Sequence, residues 1–304
     1  MQKRCAVITG GELDLGFARG YLGRMAQEMP CDVIAVDAGL KKADALGVAP
    51  VAVVGDFDSV DPVVLAKYRA LPGRAISPDE MYGQSGAPQG AVARVRGANV
   101  APQGAVARVR DADVAPQGAV ARVRDANVAP TQMGSSVTGQ RTGARVDGKV
   151  ILWLERGSEK DETDTVLALV LAVSLGYGRI DILGALGGRV DHALANIEAL
   201  LWCMRAGVEA YIVDPRNRVR AVGAQSHGAC VEFTAADSYG RYISFIPMSD
   251  AVTGVTLEGF RYPLHDKTLV PGAEPGLCVS NELAGEAGRL RFSSGTLLCI
   301  ESRD

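Results

Sequence analysis

The 304-residue sequence predicts an α/β plus all-β chain, a doubly wound parallel sheet domain followed by a C-terminal antiparallel β-sandwich. Three observations carry that expectation. As far as Asp214, short β-branched runs alternate with helical patterns, the mark of strand–helix–strand units that build a parallel sheet. Beyond Pro215 the texture changes to short alternating runs separated by Gly, Pro, Ser and Asp, with no helical period. An apolar content of 47% is enough for two modest cores in a chain of this length. The expected division is 1–215 and 216–304.

In the first part the strands are expected at 6–9, 33–36, 51–54, 150–154, 180–183 and 210–213. All are short and rich in Val, Ile and Leu, as strands buried on both faces require. Helices are expected at 15–29, 62–69, 163–175 and 191–205. In the second part VRAVGA, CVEFTA, RYISFIPM, GVTLEGF, GRLRFS and GTLLCIES supply the strands of a sandwich of about 85 residues.

One segment interrupts this order. APQGAVARVRGANV, Ala87 to Val100, recurs as APQGAVARVRDADV and APQGAVARVRDANV, ending at Val128. Each copy carries Pro and Gly, which cost a helix interior roughly 3 and 1 kcal/mol, so the fourteen-residue period is not a coiled coil. With six Arg against three Asp, the copies form either a basic patch for a partner or a mobile surface insertion, with composition favouring the insertion. The whole insertion is placed at 72–147.

A net charge of −3 and a pI near 5.7 give no global attraction to nucleic acid or to an anionic membrane, and neither is expected as a partner. Any polyanion bound here is small and locally held. The six cysteines are scattered, form no C-x-x-C and mostly sit in apolar runs, which reads as reduced core thiols. The N-terminus lacks the apolar run of a signal peptide, and the longest uncharged apolar stretch, Thr165 to Gly178, falls short of the roughly 20 residues a membrane span needs. A soluble, cytoplasmic protein is expected.

The chemistry concentrates in three loops that follow strands, where ligands bind in open parallel sheets. The first, Gly55-Asp56-Phe57-Asp58-Ser59, puts two carboxylates one residue apart at the mouth of the core. Like charges about 4 Å apart repel by roughly 4 kcal/mol at an effective dielectric near 20, so a compensating partner is required. The second, EKDETDT (159–165), places Asp161 and Asp164 on the first turn of a helix, where they and Thr163 could equally serve as caps. Taken with Asp56 and Asp58 they point to a hard divalent cation, Mg²⁺, because no His or Cys stands nearby. The third, GALGGRVDH (184–192), offers Gly187 and Gly188 for close backbone approach to an anion and Arg189 as a phosphate fork. Asp191 is as suited to capping that helix as to chemistry, and His192 to a structural hydrogen bond.

Two near-motifs fail. GARVDGKV (143–150) has Val150 where the phosphate loop needs a hydroxyl, and it leads into a strand rather than a helix. TGGELDLG after the first strand lacks the G-x-G-x-x-G spacing. A P-loop ATPase and a dinucleotide dehydrogenase are rejected on these grounds.

GDFDS (55–59), EKDETDT (159–165) and GALGGRVDH (184–192), with FRYPL (260–264) and VSNE (279–282), closely resemble the thiamine pyrophosphokinase (thiamine diphosphokinase) family of bacterial type. The resemblance covers nearly the whole chain except the repeats. It implies Mg²⁺-dependent transfer of the pyrophosphoryl group from ATP to the thiamine hydroxyl, giving thiamine diphosphate and AMP. It also implies a homodimer with active sites between the α/β domain of one subunit and the β domain of the other. By motif, 1–215 becomes the nucleotide- and Mg-binding catalytic domain and 216–304 the thiamine-binding and dimerisation domain. Asp56, Asp58, Asp161 and Asp164 would hold the metal. Asp56, Asp58, Asp164, Arg189 and Asp191 would form the catalytic set. Asp37, Gly55, Ser59, Lys160, Thr163, Gly187, Gly188, Arg189 and His192 would bind the nucleotide, and Ser280 and Asn281 would face thiamine. The alternatives are a related diphosphotransferase acting on another alcohol such as a pterin, or a non-catalytic nucleotide sensor.

Overall fold

The structure is a computed structural model that describes residues 3–77, 151–155, 163–224 and 228–304. The repeats at 87–128 lie outside the described residues, as do Lys160 and Asp161.

The α/β part runs β1 (Lys3–Ile8), α1 (Leu15–Glu28), β2 (Cys31–Val36), α2 (Gly39–Leu46), β3 (Ala52–Gly55), α3 (Pro62–Arg69), β4 (Gly73–Ala75), β5 (Ile151–Glu155), α4 (Asp164–Ser174), β6 (Tyr177–Leu183), α5 (Val190–Arg205) and β7 (Glu209–Val213). The β part follows as β8 (Asn217–Gly223), β9 (Ala229–Thr234), β10 (Tyr242–Pro247), β11 (Val252–Glu258), β12 (Leu264–Leu269), β13 (Ala287–Phe292) and β14 (Thr296–Ser302). The expected strands and helices of the α/β part all form, as do the six runs of the β part. Three elements were not expected: α2, β4 and β12. Gly73–Ala75 falls inside the segment expected as an insertion, yet it hydrogen-bonds in parallel with β5 and so belongs to the sheet.

Ten strands make one sheet in the order β10-β14-β8-β7-β6-β1-β2-β3-β5-β4. From β7 to β4 every pairing is parallel, and at β7–β8 the sheet turns antiparallel. A separate sheet, β12-β11-β13-β9, packs on its far end. Phe233, Val255, Leu257, Leu290 and Phe292 of the small sheet meet Ile243, Phe245, Leu297 and Cys299 of the large one in a single apolar cluster. The sandwich therefore exists, but one of its two layers is the continuation of the α/β sheet.

Helices cover both faces of the parallel region. Buried residues of α4 and α5 pack with Val7, Ile34, Val54 and Ile182 on one face. Those of α1, α2 and α3 pack with Ala6, Ile8, Val53 and Leu183 on the other. Alternate residues of each strand thus serve opposite cores, which is why the strands read as continuous apolar runs. Among the described residues no helix is long and apolar enough to cross a membrane. All six cysteines are free, four of them buried.

Candidate active site

The carboxyl ends of β1, β2, β3 and β6 and the start of α4 surround a cleft of about 730 Å³. Its lining includes Thr9, Gly10, Gly11 and Glu12 after β1, Asp37 and Lys42 around β2 and α2, and Ser59 beyond β3. Thr163, Asp164, Gly187, Gly188, Arg189, His192 and Asn196 complete it.

The acidic loop is shaped by what lies between its acids. Phe57 takes a left-handed backbone, φ 63°, and buries its ring edge-on against Trp153, with centroids 5.6 Å apart. That inward anchor turns Asp56 and Asp58 outward, and Asp56 Oδ1 accepts from the Asp58 N–H at 3.3 Å. Asp58 stands exposed with its carboxyl pushed up, first by its hydrogen bond with Asp56 and then by the Asp56 charge. Gly55 has a spatial role: with φ 147°, a Cβ there would lie 1.6 Å from Asp37 Oδ1. Only glycine lets the Asp37 carboxylate rest against the end of β3.

Asp37 is the focus of the cluster. Its own backbone is left-handed, φ 45°, and its Oδ1 is buried without a hydrogen-bond partner. Burial, then the charge of Asp164 and a carboxyl–carboxyl contact with it, pushes Asp37 up to about 7, with Asp56 acting in the same sense. A buried acceptor oxygen facing a second carboxylate is an arrangement that a hard cation would relieve. Asp37 and Asp56 follow β2 and β3 and Asp164 opens α4, so the convergence is tertiary. No group of three or more His, Cys, Asp or Glu side chains among the described residues is arranged as a finished metal cage, and the donor set fits a cation that keeps waters and shares phosphate oxygens.

The opposite wall is cationic and glycine-rich. Thr163 caps α4, its Oγ1 accepting from the Val166 N–H at 3.3 Å, so its capping reading is realised while Asp164 occupies the first turn. Gly187 and Gly188 are left-handed, φ 91° and 66°, and lead into α5 with Arg189 at the cap position. Arg189 makes a bidentate pair with Asp191, 3.1 Å and 2.6 Å, in which both side chains are exposed. That pair holds the Asp191 carboxyl down at about 2. Arg189 lines the cleft and Asp191 stands behind it as its partner.

Sequence reasoning missed Lys42, Glu12 and Asn196. Lys42 Nζ donates to the carbonyls of Thr9, at 3.1 Å, and of Gly11, and burial lowers its pKa. Asn196 Nδ2 donates to Ala185 O at 2.9 Å and pins the glycine loop to α5. The TGGELDLG loop, set aside for lacking a dinucleotide spacing, nevertheless lines the cleft through Gly10, Gly11 and Glu12.

Ser280 and Asn281 lie in the β part and do not line this cleft. Asn281 is 2% exposed. Its side chain is spent on the FRYPL segment: Nδ2 donates to Tyr262 O at 2.8 Å, and Oδ1 accepts from Tyr262 N at 3.0 Å and Glu282 N at 2.9 Å. Ser280 is exposed, with φ 54°.

Fold and site together define a class: an α/β protein with acidic and glycine-rich strand-end loops around one anion-and-cation cleft, its sheet prolonged into a β-sandwich. Residues 145–212 match the family described as thiamin pyrophosphokinase, catalytic domain, and residues 230–297 match thiamin pyrophosphokinase, vitamin B1 binding domain. A thiamine pyrophosphokinase of Bacillus subtilis (strain 168) is 36% identical over 147 residues, which span 48% of this chain and 65% of the relative. A crystal structure of thiamine pyrophosphokinase from Bacillus subtilis superposes with a TM-score of 0.62 at 22% identity, covering 99% of this chain and 100% of that one. One from Geobacillus thermodenitrificans gives 0.58 at 25% identity, covering 99% and 97%. Over 145–212 and 230–297 the chain is similar to the two domains of the thiamine pyrophosphokinase family, and it spans about two thirds, 65%, of the length of the curated relative it matches.

Proposed function

We propose that this chain transfers the pyrophosphoryl group of ATP to the hydroxyl of thiamine, releasing thiamine diphosphate and AMP. The observation that carries the reading is the meeting of Asp37 and Asp164 in one cleft with the Gly187-Gly188 loop and the start of α5, with Asp56 outside the lining but close enough for its charge to act on Asp37. A carboxylate cluster without a cation would repel a polyphosphate. With Mg²⁺ held by Asp56, Asp58 and Asp164, with Asp37 beside them, the same cluster selects one. Asp161 is assigned to that set by motif alone.

When bound, the magnesium ion would neutralise phosphate charge and fix the phosphate geometry. The chain's own residues do the rest. Backbone N–H groups of Gly187 and Gly188 and the positive end of α5 face the phosphates. Arg189, drawn from its exposed pair with Asp191, is placed to offset charge that grows on the transferring group. Lys42 adds a cation from the other wall. The thiamine hydroxyl attacks the β-phosphorus in line, its proton passing to solvent or to a neighbouring carboxylate, and the bond to the α-phosphate oxygen breaks to release AMP. A volume of about 730 Å³ suits a nucleotide and a small alcohol.

Thiamine recognition is assigned to Ser280 and its surroundings in a second copy of the chain. Within one chain these residues are absent from the cleft, while Val190 and Leu194, 71% and 56% exposed on the first turns of α5, leave an apolar rim beside it. A homodimer that seats the sandwich of one subunit over that rim satisfies both facts.

The test is product identification. Incubated with ATP, Mg²⁺ and thiamine, the protein is expected to yield AMP and thiamine diphosphate. ADP would indicate a simple kinase, and turnover with a pterin alcohol in place of thiamine would move the reading to the related diphosphotransferase.

A further inference from the structure

A second cavity, about 520 Å³, opens at the other end of the parallel strands. It lies over β6, β7 and β8, between the end of α1 and the β9 edge of the small sheet, whose Glu232, Phe233 and Thr234 line it. Register places Asp181, Tyr211 and Arg220 opposite one another on successive strands, so their side chains share one face of the sheet. At a joint between two layers that face would ordinarily be apolar. Here five arginines line it, Arg4, Arg24, Arg179, Arg218 and Arg220, and three of them gather on a single ring: the guanidiniums of Arg179, Arg218 and Arg220 lie 4.7, 5.8 and 5.7 Å from the centroid of Tyr211.

The local carboxylates do not satisfy this set. Asp181, fully buried, already accepts from Arg4 Nε at 3.0 Å and from Tyr21 OH at 2.9 Å. Glu301 accepts two bonds from Arg218, 2.9 and 2.6 Å, and a third from the Tyr239 N–H at 2.9 Å. Glu28 is occupied by Arg4. Glu209 accepts from Tyr211 OH and stands 3.8 Å from Arg220. Glu232 pairs with Arg289, and Asp237 accepts from the Thr234 hydroxyl. What remains is Arg179 Nε, 3.5 Å from the engaged Asp181, and Arg220 Nε, both buried and without a hydrogen-bond acceptor. Buried charged donors left unpaired are costly, and guanidiniums crowding one ring repel.

We propose that this crevice is a second binding site, separate from the catalytic cleft, for a small molecule bearing a phosphoryl or diphosphoryl group. The oxyanion would meet the guanidiniums of Arg179, Arg218 and Arg220 that line the crevice and offset their crowding, with the Tyr211 and Tyr239 rings as walls. Arg179 lies near the start of β6 and Gly184 directly follows its end, so the two sites sit at opposite ends of the same strand. The site does not depend on the reaction proposed above.

The experiment is calorimetric titration with inorganic pyrophosphate in the absence of divalent cations, where the acidic cleft disfavours the anion. One site per chain is expected, unchanged in Asp164→Asn and weakened at least tenfold in Arg220→Gln. Arg179→Gln is the second variant should the first not fold. No binding to the wild-type protein, or binding that Asp164→Asn abolishes while both arginine variants retain it, would overturn the proposal.

Discussion

Gly55 and Phe57 decide where the acids of the GDFDS loop point, one by lacking a side chain and the other by burying it. A methyl group at Gly55 meets the Asp37 carboxylate at 1.6 Å, so Gly55→Ala is expected to displace Asp37 and cut turnover at least tenfold, measured as AMP release. Asp56→Asn and Asp58→Asn are expected to abolish turnover with circular dichroism unchanged; wild-type rates in either would remove that residue from the cation site. A third outcome concerns charge. The Arg189 pair holds Asp191 at about 2, below its unfolded value, so its stabilisation is present above the ordinary carboxylate range and is lost as pH falls from about 4 toward 2. Both partners are exposed, so the gain is small and best read directly. Titration of Asp191 by NMR in wild type and in Arg189→Gln should show its midpoint rising to the usual carboxylate range, and an unmoved midpoint would contradict the pair.

At the scale of elements, what was legible in the sequence followed burial. The strands and helices of both cores announced themselves by apolar period, and the acidic and glycine loops by their position after strands. α2 did not, because it is eight residues long, starts at Gly39 and has no side-chain cap at its N-terminus. β12 is an edge strand whose pattern is broken by His265, Asp266 and Lys267, with Asp266 in a left-handed turn, φ 47°. Lys42 and Asn196 were invisible for a different reason: each is one polar residue on an amphipathic helix, and only the tertiary fold aims it at the cleft. Asn281 was legible as part of a motif, but what the structure shows its side chain doing is clipping together two segments of the sandwich. Asn281→Ala removes three part-buried hydrogen bonds, to the Tyr262 N–H, the Tyr262 carbonyl and the Glu282 N–H, so it is expected to cost about 2 kcal/mol, read as a lower midpoint in urea. Ser280→Ala touches no such clip. It is expected to raise the KM for thiamine without moving that midpoint, and a stability loss equal to that of Asn281→Ala would deny it a substrate role.

At the scale of the whole molecule, the sheet settles how the two parts depend on each other. The expected boundary at 215 falls in the turn between β7 and β8, yet those strands pair Tyr211 with Arg220, Ile212 with Val219 and Val213 with Arg218. Val219 of β8 and Leu298 of β14 pack in the same core as Leu200 and Cys203 of α5. Cutting the chain there would bare the β7 edge and strip apolar cover from α5, leaving an open hydrogen-bonding edge of the kind that aggregates. The full chain is therefore expected to unfold in one cooperative transition followed equally by far-UV circular dichroism and by the fluorescence of Trp153 and Trp202, which belong to the α/β part. A 1–215 fragment should bind a hydrophobic dye and be cleaved rapidly by protease. Two well-separated transitions, or a fragment that resists protease as the full chain does, would mean that the sandwich is an independent domain and that the shared sheet carries little of the stability.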